Sequence, residues 1–127
     1  MDEPDPKLVV LRFNERINAR DIEGLVALMT EDHVFIDSAD GRTEGRERAG
    51  NAWRGFFAAF PDYRNSFSAL VSRGDRVYIA GRSSCSNPLL DGPALWMASI
   101  RGEEVAAWRV CDDTPETRRQ LGLAGID

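Results

Sequence analysis

Asp37, His33 and Asp112 are the side chains whose type and spacing could move a proton. Asp37 follows the β-forming run His33-Val34-Phe35-Ile36, and alternation along a strand puts His33, Phe35 and Asp37 on one face. A carboxylate inside an apolar pocket is desolvated. Its pKa then rises toward neutrality, so that it can take a proton from beside a carbonyl. His33, the only histidine, could serve as its acid/base partner. In the strand-like run 105–112, counting by twos puts Trp108, Val110 and Asp112 on one face, with Asp112 looking toward a pocket mouth. Each residue also has a plainer reading. Asp37 can cap the turn at 39–42 or pair with an Arg, His33 can sit half exposed at a strand entry, and Asp112 can be a solvated strand end.

Three Trp together with Phe56, Phe57, Phe60 and Tyr63 could wall a site for a flat apolar ligand. Trp53, Trp96 and Trp108 are the leading lining candidates, because the first falls on a helix and the others on strands facing it. Arg82 and Arg109 could neutralise an acidic ligand, or lie on an outer sheet face at a subunit contact.

The elements that must position these groups follow from spacing and caps. Asp5-Pro6 caps a first helix running to Ala19, with Leu8, Leu11, Phe13 and Ile17 at roughly helical spacing. Asp21 caps a shorter helix carrying Ile22, Leu25, Val26 and Leu28/Met29 and ending before Glu31-Asp32. A short strand over 33–38 stops at a turn containing Asp40-Gly41. A third helix from Gly45 carries Ala49, Ala52, Trp53, Phe56, Phe57 and Phe60, and Pro61 closes it. Strands over 63–72, 77–87, 94–101 and 105–112 read as an antiparallel meander, and Thr114-Pro115-Glu116 starts a last short helix. Helices followed by strands make an α+β architecture in which a strongly bent sheet leaves a hollow beneath its helices.

Composition narrows the function. A chain of 127 residues, 43% hydrophobic, fits one domain over 1–127 with a sizeable core. With 21 acidic against 16 basic residues the net charge is -5, the wrong sign for phosphate backbones or anionic lipid, so neither nucleic acid nor membrane is an expected partner. All the basic residues but Lys7 are Arg, and they are scattered. The acidic start Met1-Asp2-Glu3-Pro4 lacks the basic and apolar regions of a signal peptide, and no apolar run approaches the roughly 20 residues a bilayer needs, so a cytoplasmic protein is expected. Cys85 and Cys111 lie far apart with no paired-Cys or His-rich motif, which signals buried free thiols rather than a disulfide or zinc site. Neither GxGxxG nor GxxxxGK[ST] is present, so no nucleotide cofactor is expected.

Several phrases resemble the NTF2-like superfamily, in particular its SnoaL-like and ketosteroid-isomerase-like members. Arg12-Phe13, the stretch Asn18 to Leu28 and Val34-Phe35-Ile36-Asp37 look like the opening of ketosteroid isomerases. Gly45-Arg46-Glu47, the helix ending Phe60-Pro61-Asp62, and Ala107-Trp108-Arg109-Val110 look like SnoaL-like proteins. The resemblance implies a cone: a curved antiparallel sheet wrapped around N-terminal helices and enclosing a pocket, in a chain that pairs as a homodimer. It also implies that Asp37 is the proton-shuttling carboxylate. The isomerase's oxyanion donors, a tyrosine and a protonated aspartate, would fall at Phe13 and Trp96. Losing one such donor typically costs about 100- to 1000-fold in rate, so classical steroid isomerisation is not expected. Relatives with an acid in the last strand would place it at Val110.

The expected function is therefore binding of a small apolar ligand, polyketide-, terpene- or steroid-like. Acid/base isomerase, cyclase or hydro-lyase chemistry without cofactor or metal would accompany it, with Asp37 as base and His33 and Asp112 as further candidates. Phe13, Phe35, Trp53, Phe56, Phe57, Trp96, Trp108 and Val110 would contact the ligand. The alternative is a non-catalytic ligand-binding domain or a dimeric interaction domain of the same fold.

Overall fold

The computed structural model describes residues 4–126, so Met1–Glu3 of the acidic start and Asp127 lie outside it. Helix α1 (Pro6–Ala19) begins where Asp5 accepts from the Lys7 N–H at 3.0 Å, with Pro6 pre-set at its first turn. Its buried face is Val9, Val10, Phe13, Asn14 and Ile17. It ends at Arg20, which adopts a left-handed φ of 55° and whose guanidinium donates to the carbonyls of Asn18 and Pro61. Helix α2 (Ile22–Ala27) is capped by Asp21 accepting from the Gly24 N–H at 2.9 Å.

Strand β1 (Met29–Ile36) starts four residues before the expected strand, because Met29 leaves the second helix and enters the sheet. A three-residue strand β2 (Arg42–Glu44) returns beside it where only a turn was expected. Helix α3 (Arg46–Ala59) carries Ala49, Gly50, Trp53 and Phe57 inward and stops at the Phe60-Pro61 junction. Strands β3 (Arg64–Arg73), β4 (Arg76–Ser84), β5 (Gly92–Arg101) and β6 (Glu104–Asp112) follow, with a 3-10 turn (Pro88–Leu90) before β5 and helix α4 (Pro115–Gln120) after β6.

The strands form one six-stranded sheet in the order β2-β1-β6-β5-β4-β3. The stretch from β3 to β6 is the expected antiparallel meander. The sheet as a whole is mixed, because β1 lies parallel to β6, pairing Val34 with Ala107 and Phe35 with Trp108. Register shifts in β1, between Phe67 and Ala69, and between Ser99 and Ile100 mark bulges, which bend a sheet locally. The result is a curved, unclosed sheet with α1 and α3 packed into its hollow.

Two apolar clusters hold the layers. The main core joins Phe13, Ile17, Leu25, Trp53, Ile79, Trp96 and Trp108 between helices and sheet. A smaller one lies on the outer face, where Leu123 of the C-terminal segment covers Ala80 and Leu95. No described helix is long and apolar enough to cross a membrane.

Candidate functional site

A cavity of about 360 Å³ opens between α3 and the far ends of β1 and β6. Its walls are apolar: Phe35 from β1, Ala52, Trp53 and Phe56 from α3, Leu90 from the 3-10 turn, and Val110 from β6. Helical spacing puts Ala52, Trp53 and Phe56 on adjoining turns of one helix surface, which is why α3 can supply half the wall. The aromatic rings brace one another edge to face. Trp53 meets Phe35 at 5.5 Å and Phe56 at 5.8 Å between centroids, and Phe56 meets Tyr63 at 4.8 Å.

Three polar groups break the apolar wall: Asp37 and Ser38, both exposed at the mouth, and the buried Tyr63. Asp37 is tied into the turn that follows β1. Its Oδ1 accepts from the Ala39 N–H at 2.9 Å and the Gly41 N–H at 2.8 Å, and Oδ2 takes part in neither bond. The turn-cap reading of Asp37 is thus what the structure shows, and the residue also borders the cavity.

His33 is fully buried, which corrects its reading as a half-exposed residue at a strand entry. Because β1 begins at Met29, His33 lies mid-strand, with its ring 6.0 Å from that of Phe13 and Nδ1 2.6 Å from the Val105 carbonyl oxygen. A carbonyl only accepts, so Nδ1 carries the proton. Burial pushes the His33 pKa below its ordinary 6.5, opposed by the Val105 bond and the nearby Asp32 charge. His33 does not border the cavity around Asp37.

Of the other expected contact residues, Phe35, Trp53, Phe56 and Val110 come together around the cavity. Phe13, Phe57, Trp96 and Trp108 do not border it. Phe13 packs on Trp108 at 4.7 Å, Phe67 on Trp96 at 5.0 Å, and Phe13, Trp96 and Trp108 are completely buried, so these side chains build the core. Asp112 is exposed and borders two neighbouring hollows instead. Arg82 pairs with Asp91 at 3.3 Å and Arg109 with Asp40, so neither reaches a carboxylate of the cavity. Cys85 and Cys111 are free and half-buried rather than fully buried.

Ser38, Ala52 and Leu90 were not expected at the site. Leu90 arrives through a loop pinned from both sides. Asp62 accepts from the Ser86 N–H at 2.9 Å and from the Cys85 thiol, and Asp91 accepts from the Cys85 N–H at 3.1 Å. Those bonds hold the Asp62 carboxyl below its ordinary value. Among the described residues, no cluster of three His, Cys, Asp or Glu is placed to hold a metal ion.

A cone of this kind, open at one end over an aromatic-walled cavity, defines an NTF2-like α+β domain. The SnoaL-like domain model matches residues 10–117, and the chain belongs to that family. No curated protein matches it. Among solved structures, an NTF2-like protein from Cytophaga hutchinsonii is 16% identical with a TM-score of 0.73, covering 91% of this chain and 96% of its own. IdmH from Streptomyces antibioticus, a candidate polyketide cyclase, is 22% identical with a TM-score of 0.71, covering 94% and 99%. TerC, crystallised with polyporic acid, is 16% identical with a TM-score of 0.72, covering 93% and 99%. At these identities the likeness is one of fold.

Proposed function

We propose that the chain binds a small ring-bearing apolar molecule in the cavity between α3 and the sheet. The observation that carries this reading is the wall itself: Phe35, Trp53, Phe56 and Val110 enclose a space of about 360 Å³ whose polar groups are few. The rings of Phe35, Trp53 and Phe56 pack edge to face and still leave that space open. The cyclase and polyporic-acid relatives are in keeping with a flat ligand. We place binding ahead of turnover because Asp37 is exposed and committed to a turn, whereas an effective general base is desolvated by its pocket.

A second reading, acid/base isomerisation or cyclisation by Asp37, is favoured by one observation. Asp37 borders the cavity, and its Oδ2 stays outside the turn bonds. One such group contributes about 100- to 10,000-fold in rate.

Calorimetric titration with β-naphthol tests the first reading. Ala52 is exposed on α3 and borders the cavity, so Ala52→Trp is expected to fill the space and weaken binding at least about tenfold while the fold is kept. Unchanged affinity in that variant would move the ligand elsewhere and sink the reading. Asp37→Asn separates the two readings. Under binding alone, affinity stays within about twofold, and under catalysis turnover of a cyclisable substrate is lost.

A further inference from the structure

Tyr63, Ser83 and Asn65 form a buried polar relay beside the apolar cavity, and each is more than nine-tenths shielded from solvent. Such a cluster is costly in a core unless its groups are paired, and here all but the Asn65 Nδ2, which is buried without a partner, are paired. Asn65 is clamped from α1: the Asn18 amide donates to the Asn65 carbonyl at 2.9 Å, and the Asn65 N–H donates to Asn18 Oδ1 at 2.9 Å. The clamp fixes where the Asn65 side chain can reach. Its Oδ1 accepts from the Ser83 hydroxyl at 2.8 Å, and Ser83 Oγ lies 3.2 Å from the Tyr63 hydroxyl.

Proton counting sets the direction of the relay. A serine hydroxyl has one hydrogen, and Ser83 gives it to Asn65, so the Tyr63 O–H donates to Ser83. The phenol therefore has no proton left for a visitor, and its oxygen retains acceptor capacity. Tyr63 borders the main cavity and also a smaller hollow of about 130 Å³, which shares Ser38, Leu90 and Val110 with it and adds Ser83. Tyr63 is thus a wall common to both spaces. Burial raises the Tyr63 pKa above its ordinary 10.0, which keeps the hydroxyl neutral at physiological pH.

We infer that Tyr63 is the specificity-determining polar anchor of the cavity, accepting a hydrogen bond from a ring-bearing ligand that carries a hydroxyl donor, a phenol or an enol. The inference rests on the cavity-binding reading above and adds to it the chemical class of the ligand. An acceptor-only molecule of the same shape would bring a second acceptor against the phenol oxygen and lose the bond.

The test is a pair of calorimetric titrations of the full chain, with β-naphthol as the donor probe and its methyl ether as the acceptor-only probe. The readout is the ratio of the two affinities, which cancels general effects on the cavity. That ratio is expected to fall about tenfold from wild type to Tyr63→Phe, the size of one net hydrogen bond. Ser83→Ala keeps the phenol but frees its proton to donate to the ether oxygen, so the ratio falls there too. This second variant carries the test should Tyr63→Phe fold poorly. Binding of both probes with a ratio that neither variant changes by more than about twofold overturns the anchor and leaves the cavity reading standing. Failure of β-naphthol to bind wild type at millimolar concentration overturns both.

Discussion

His33 shows how a single buried residue sets a pH limit. Its Nδ1–H is spent on the Val105 carbonyl and its Nε2 is buried without a partner beside Phe13, so the neutral ring fits and the charged ring does not. The folded-state pKa lies below the unfolded value near 6.5, and the unfolded chain therefore binds the extra proton first. Stability is then full above about pH 6.5 and falls as pH drops through the window beneath it, by at most about 1.4 kcal/mol per pH unit for one proton. Asp32, Asp62 and Asp113, whose pKa values are held below 3.8, act only at lower pH. Urea unfolding between about pH 7.5 and about pH 5 should show the decline in wild type and a flat profile in His33→Asn. A slope that survives in the variant would assign the window to another group. The sequence placed His33 and Phe35 on one face of a strand, as found. The depth of His33 was not legible, because Leu28-Met29 satisfies a helical stripe and a strand start equally well, and the choice moves His33 from a strand's entry to its middle.

At the scale of elements, helices were read most directly, since Asp5, Asp21 and Thr114 all cap as their side chains suggest and Pro61 follows the end of α3. The parallel pairing of β1 with β6 was not legible, because alternation gives a strand's faces and says nothing of its neighbour. Strand β2 escaped because Arg42, Thr43 and Glu44 carry no apolar pattern. One local close approach also has no sequence signal. A Cβ on Gly81 would lie 2.2 Å from the Ser66 carbonyl oxygen, where the β3 bulge presses against β4. Gly81→Ala is therefore expected to destabilise by more than about 2 kcal/mol, since backbone must move to admit the methyl. Gly55, exposed inside α3 with open space around its Cα, is the control. Gly55→Ala should stabilise by about 0.5–1 kcal/mol, and thermal melts of the two variants check the opposite signs.

For the whole molecule, the division of the sheet's inner face between core and cavity is what the sequence did not show. Trp108 and Val110 share a face, yet Trp108 meets Phe13 in the core while Val110, two residues on, borders the open end. Alternation selects a face, and position along the strand decides between packing and lining. The outer face bears on assembly. The resemblance implies pairing through the sheet, but the C-terminal segment already crosses it. Arg73 donates to the carbonyls of Leu121 and Gly122 at 2.9 and 2.8 Å and stacks over Tyr78, and Leu123 is buried on Ala80 and Leu95. The large apolar side chains left exposed among the described residues are Leu8, Leu11 and Leu89, none of them on a strand. The outer hollow that remains is polar, bordered by Arg76, Arg109, Asp40 and Asp112. An obligate dimer needs an apolar patch, and the strap covers part of the one this face offers, leaving Val71, Tyr78 and Cys111 half-buried. Light scattering at micromolar concentration is thus expected to give the 14.1 kDa of one chain, and Leu123→Asp, which lifts the strap, to raise self-association. A wild-type mass of twice that value would mean that the sheets pair despite the strap, through the polar hollow beside it.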